Sequence, residues 1–132
     1  ELFLSNKKNS GMSSILRHTN ESGLKETVMG IRIDDFFKNE KIPKIKLIKL
    51  DIEGAEINAI AGMAETLSRY KPLVLMEISD GIISNSSYEK ESIFTLMKTF
   101  NYTCQSIDKQ GNIIKIKENK AGYHNYLFTP SN

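Results

Sequence analysis

With one cysteine, Cys104, the chain cannot form an internal disulfide. It does not open with a positively charged stretch running into an apolar one, and the two absences together lead us to expect a reducing, cytoplasmic setting. No apolar run approaches the ~20 residues that a membrane span needs, so no membrane segment is expected. An excess of one charge is missing too. Eighteen Lys and Arg face 16 Asp and Glu, a net +2, with both signs interspersed. Such a surface offers no basic patch for nucleic acid or an anionic membrane. There is no Cys/His spacing for zinc, no P-loop and no G-x-G-x-x-G turn. Repeats and low-complexity tracts are lacking as well. The first residue is Glu1 rather than Met, from which we expect that sequence is missing upstream.

What remains is ordinary globular material. The 132 residues are 39% apolar and 26% charged, enough for one domain with a real core. Glu1 to Leu4 fits a short strand, Ser5 to Ser14 a loop, and Thr27 to Ile33 a strand. Asp34 is placed to cap a short helix through Phe36 and Phe37 that ends before Pro43. Lys46 to Ile52 is the clearest strand, its apolar residues dense enough to suggest burial on both faces. A helix follows on Ile57, Ile60, Ala61, Ala64 and Leu67, with Gly54 at its entry and Pro72 at its exit. Leu73 to Ile78 reads as a second buried strand. Ser86 and Glu89 form a capping-box pattern before a helix with Ile93, Leu96, Met97 and Phe100 on one face. Tyr102 to Ile107 and Asn112 to Lys117 predict a hairpin about Lys109–Gln110–Gly111, and Asn125 to Thr129 a last strand. The alternation predicts an open α/β sheet with helical crossovers and an antiparallel edge added at its end.

Ligands of such sheets bind beyond the carboxyl ends of the strands. Two strands here finish in acid, one in Asp51–Ile52–Glu53–Gly54–Ala55–Glu56 and the other in Glu77. Neighbouring strands lie ~4.8 Å apart, so Asp51 or Glu53 would face Glu77 across one crevice. Strand alternation puts Asp51 and Glu53 on one side, and Glu56 falls in the first turn of the next helix, where its charge suits the dipole. These acids can accept a proton from a substrate hydroxyl, hold a metal or stabilise a positive charge. For Glu56 simple capping is the competing role. Asp51, ending a buried strand, would be costly unless paired or useful. His124 is a possible base or ligand, or a hydrogen-bonded edge residue. His18 sits in a polar stretch, Cys104 reads as core, and Ser13–Ser14 lies in a loop that suits ligand contact or nothing.

The stretch Ile48–Lys49–Leu50–Asp51–Ile52–Glu53–Gly54–Ala55–Glu56 resembles the "lKiDvEGaE" signature of FkbM-family methyltransferases. Gly11 to Leu16 is similar to the family's "sg-x-ssl" loop, Ile31 to Phe36 to its "tLDdf" segment, Leu73 to Ile78 to a strand ending in Glu, and Asn125 to Phe128 to its closing "NylF". The resemblance implies a Rossmann-like class I methyltransferase sheet of order 3-2-1-4-5-7-6. Lys46–Ile52 would be its fourth strand, Leu73–Ile78 the fifth, Tyr102–Ile107 the sixth and Asn125–Thr129 the seventh. It further implies that residues 1–132 are the C-terminal half of the domain, strands 4 to 7. The glycine-rich turn and the ribose-binding acid that grip most of the cofactor would then precede Glu1.

The activity implied is methyl transfer from S-adenosylmethionine to a hydroxyl oxygen of a sugar or natural product, a small molecule or a glycan. Asp51 or Glu53 would be the catalytic base, with Asp51 also a possible cofactor contact. Glu56, Glu77, Ser14 and His124 would bind substrate or support the site, and the loop from Asp80 to Ser87 would recognise the acceptor. On its own the chain is expected to be inactive. Two rivals stand beside this. In one, Asp51-x-Glu53 chelates Mg²⁺ or Mn²⁺ for phosphoryl or glycosyl transfer. In the other, the chain is a non-catalytic half-domain that binds a partner or self-associates through the open edge of the fourth strand.

Overall fold

A computed structural model describes residues 1–5, 10–17, 21–41, 44–114, 116 and 123–131. Its main sheet has five strands in the order β3 (Leu47–Leu50), β4 (Leu73–Ser79), β7 (Tyr123–Pro130), β5 (Tyr102–Ile107) and β6 (Ile113–Ile114). β3 and β4 are parallel, while β7 runs antiparallel to both β4 and β5. The last strand thus lies between β4 and β5, as the order 4-5-7-6 places it, and with the β5–β6 hairpin it makes up the antiparallel side of the sheet. β5 and β6 form the expected hairpin, its turn passing through Gly111 at φ 85°.

One face of this sheet is dry. Along β4, Val74, Met76 and Ile78 are buried, and in register with them stand Phe128, Tyr126 and His124 of β7. Leu50 lies beside Met76. Against this face pack Ile60 of α2 (Glu56–Gly62), Leu67 of α3 (Ala64–Tyr70), and Ile93 and Met97 of α5 (Lys90–Thr99). Phe94 of α5 meets Tyr126 edge-on at 5.1 Å, a favoured aromatic geometry. The Tyr102 hydroxyl donates to the Pro72 carbonyl at 2.8 Å, tying β5 to the turn before β4.

Burial on both faces of β3 does not hold. Among the described residues it pairs only with β4, and Leu47 is 55% exposed on the face opposite the core, beside the exposed Lys49. Its apolar density arises because Ile48 and Leu50 face the helices while Leu47 does not.

The expected strand over 27–33 is also absent. Residues 27–32 are irregular, with Met29 90% exposed, and the strand is β2 (Glu21–Glu26) instead. It pairs antiparallel with β1 (Leu2–Ser5) in a separate ribbon, braced by Lys25 on Glu1 at 2.6 Å. Described side chains of this ribbon are at least partly exposed, so no apolar alternation marks it in the sequence. Within the expected loop, Ser10–Met12 forms a 3-10 turn and Ser14 bridges to Phe3.

The single helix expected after Gly54 is two, broken at Met63 (φ −127°, ψ 25°). The break is closed from a distance. Asp34, in α1 (Ile33–Phe37), does not cap its own helix; its Oδ2 accepts the Glu65 amide and its Oδ1 the Thr66 amide, each at 2.9 Å, together with the Thr66 hydroxyl at 2.7 Å. These are orphan donors at the start of α3, and the carboxylate satisfies them as an N-cap side chain would. Arg32, two residues before Asp34, lies against Gly62. Pro43 lies outside the described residues.

The capping box is corrected as well. α5 begins at Lys90, because the Ser86 hydroxyl is occupied two residues on, donating to the Tyr88 carbonyl and accepting its amide. A short helix, α4 (Asp80–Ile83), occupies part of the loop between β4 and α5. No helix among the described residues is long and apolar enough to cross a membrane.

Candidate active site

β3 ends at Leu50, paired with Met76, and Asp51 and Glu77 are the residues that follow this pair, Glu77 lying within β4, which runs on to Ser79. Asp51 is exposed, so the argument from buried-charge cost does not apply to it. It is paired instead: Lys49 Nζ lies 2.6 Å from its Oδ2, the two side chains sharing a face because they are two residues apart. The hydrogen bond to Asp51 and the charge behind it raise the Lys49 ammonium above its ordinary value, with Glu77 adding in the same direction. Glu77 is half-buried and in register with Asn125 of β7.

Glu53 does not continue this row. β3 has ended at Leu50, and Glu53 takes a left-handed backbone (φ 52°), followed by Gly54 at φ 95°. Alternation therefore fails to place Asp51 and Glu53 on one side. At Gly54 only glycine fits, since a Cβ would lie 2.5 Å from Leu16 Cδ1 and 2.8 Å from Ile82 Cγ2, at a φ that side chains avoid.

The polar groups of this turn are held from several parts of the chain. The Ser14 hydroxyl, 1% exposed as a residue, donates to the Glu53 carbonyl and accepts the Leu16 amide at 3.0 Å. The Gly54 amide donates to Glu56 Oε1 at 3.2 Å, and the Ala55 amide to the Ile52 carbonyl at 3.3 Å. Glu56 opens α2 as expected, and at 2% exposure it is a brace inside the turn. The Gly54 carbonyl accepts the Tyr88 hydroxyl at 2.7 Å, whose oxygen also lies 3.3 Å from Glu56 Oε2. Burial, with the Glu56 charge and hydrogen bond behind it, pushes the Tyr88 phenol far above its ordinary value, so it is a neutral donor throughout the physiological range.

Sequence reasoning missed Tyr88. It is 34 positions from Gly54, in a segment with no periodicity, and nothing local announces the contact.

His124 is not brought to Asp51. Along β7 it pairs with Ile78, one step from the Glu77–Asn125 pair, so it projects from the helix-covered face and Glu77 from the other. Its Nε2 is 3.9 Å from Asp80 Oδ2, and Asp80 Oδ1 holds Lys90 Nζ at 2.7 Å. Cys104 is half-buried in β5, and burial pushes its thiol up to about 12. His18 lies outside the described residues. Among the described residues no group of three or more His, Cys, Asp or Glu is gathered so as to hold a metal.

Neither a curated protein nor a solved structure matches the chain. The methyltransferase FkbM domain does, over residues 2–104, a span from β1 through the DxEGxE turn and α5 into β5. The chain belongs to the FkbM methyltransferase domain family.

Proposed function

We propose that this chain carries the base and the acceptor-facing wall of an S-adenosylmethionine-dependent O-methyltransferase site, acting on a hydroxyl of a sugar or natural product. The observation that carries the reading is that Asp51 and Glu77 both follow the Leu50–Met76 pair of β3 and β4, beside a turn held by Ser14, Glu56 and Tyr88. The order β3-β4-β7-β5 supports treating these strands as the fourth, fifth, seventh and sixth of a Rossmann-like methyltransferase sheet.

The donor set suits a sulfonium cofactor, because carboxylates stabilise a nearby positive charge. Asp51 and Glu77 are the residues of this chain that would face it. S-adenosylmethionine, when bound, supplies an electrophilic methyl group. A neutral hydroxyl is a poor nucleophile, so an acceptor hydroxyl would need a base of this chain to take its proton. Asp51 takes that proton. Lys49, held protonated, occupies Oδ2 and fixes the carboxylate's orientation, which assigns Oδ1 to the acceptor. Glu77 orients the acceptor from the neighbouring strand. Holding the hydroxyl and the carboxylate together is worth a large part of the barrier.

The test is Asp51→Asn in the intact protein, with transfer of labelled methyl from S-adenosylmethionine to a panel of hydroxyl compounds. Turnover should fall by at least ~100-fold, the usual contribution of a positioned base, with an unchanged unfolding midpoint. Retained turnover would remove Asp51 from the mechanism. A second reading, self-association through β3, is favoured by Leu47 on that edge strand. Sedimentation of the chain tests it, a monomer at all concentrations counting against it.

A further inference from the structure

The segment from Asp80 to Lys90 is fastened at three places. Lys90 Nζ closes its two ends onto each other through Asp80 Oδ1 at 2.7 Å, a pair largely withdrawn from solvent. Ile82, buried, rests on Gly54 so closely that a Cβ there would meet it. Tyr88, at the far end, donates its hydroxyl to the Gly54 carbonyl. The first contact shapes the loop, and the other two seat it on the acidic turn. The Ser14 hydroxyl reaches the same turn from the opposite side in sequence, at its Glu53 carbonyl.

We infer that Tyr88 is a positioning residue: its hydroxyl makes the acidic turn 51–56 and the loop 80–88 a single mechanical unit, so that ligand binding at the turn orders the loop. This rests on the methyltransferase reading above and adds to it a route from cofactor to acceptor wall. Geometry favours Tyr88 over the other contacts as the coupling element. Ile82 packing is non-directional and tolerates sliding, whereas a hydrogen bond onto one carbonyl fixes both distance and angle. The Gly54 carbonyl also belongs to a residue whose amide is held by Glu56, so the peptide units on both sides of Gly54 are pinned at once.

The test is hydrogen exchange of the intact protein with and without S-adenosylmethionine, read in peptides covering 51–56 and 80–88, with β4 as internal reference. In the wild type, S-adenosylmethionine should slow exchange in both peptides. Tyr88→Phe keeps the ring's packing and removes only the hydroxyl. There the 51–56 protection should persist while that of 80–88 falls about tenfold, the scale of one lost hydrogen bond to a part-buried carbonyl. Ser14→Ala, which removes a hold on the turn and leaves Tyr88 in place, should loosen 51–56 and 80–88 together, whereas in the Ser14→Ala, Tyr88→Phe double variant the two peptides should respond separately. A role in stability alone would move the β4 reference and both peptides together, with or without ligand. Undiminished protection of 80–88 in Tyr88→Phe overturns the proposal. A wild type whose 51–56 peptide ignores S-adenosylmethionine sinks the methyltransferase reading, and the coupling with it.

Discussion

Replacing Asp34 by alanine deletes the carboxylate that closes α3 from another helix, and the cost can be worked from the contacts. The side chain is 4% exposed and accepts two amides and one hydroxyl. Loss of an ordinary N-cap costs ~0.5–2 kcal/mol. Here Thr66 is itself buried, so its amide and hydroxyl would be left without partners, which adds ~1–3 kcal/mol. We therefore expect about 3 kcal/mol, a fall of roughly 10 °C in Tm for a domain of this size. Asp34→Asn should cost less, about 1 kcal/mol, because its one oxygen can keep Thr66 and only the Glu65 amide loses its acceptor.

The pH dependence has a definite sign. Burial works to raise the Asp34 carboxyl, but the Thr66 hydroxyl, the Glu65 and Thr66 amides and the Arg32 charge outweigh it, and the group is held below its ordinary 3.8. Its stabilisation is therefore fully present above that value and fades as pH falls through the lower folded value. Urea melts of wild type and Asp34→Ala at pH 7 and at about pH 3 measure both effects. A difference under ~0.5 kcal/mol at pH 7, or one that widens in acid, would refute the reasoning.

Other expectations follow from single contacts. Gly54→Ala should cost more than ~2 kcal/mol, since it combines a disfavoured φ with contacts to Leu16 and Ile82, and an unchanged urea midpoint would contradict the geometry. Lys49→Met should leave the urea midpoint unchanged because the pair with Asp51 is solvent-exposed; a lowered midpoint in the same melts would show a structural role for the pair. Cys104 should react with a disulfide reagent at pH 8 far more slowly in the folded protein than in urea, as only about one thiol in 10⁴ is ionised when its value is near 12. Equal rates would place the thiol in water.

The sequence made legible what depends on apolar spacing. β4 and the inner face of α5 follow from Val74, Met76 and Ile78 and from Ile93 and Met97, because burying them requires those periods. The acids were less legible as strand ends: β3 stops at Leu50, one residue before Asp51, and β4 runs two residues past Glu77 to Ser79. β2 was not legible, because a ribbon without a dry face has no period to read. The density of β3 overstated its burial, since composition does not reveal which face a neighbouring strand or helix covers. In the sequence Asp34 reads as a cap of its own helix and not of α3, and nothing singles out Tyr88. Both act on backbone more than 30 positions away, and a side chain's choice among distant amides and carbonyls leaves no local trace.

The left-handed backbone at Glu53 has a consequence for how this chain can change. A residue with a Cβ pays roughly 1 kcal/mol to sit there, and glycine would sit there freely. Drift toward stability, or a designer raising the melting temperature, would thus be drawn to glycine at position 53 and would delete a carboxylate in doing so. A glutamate there holds the turn short of its most stable sequence.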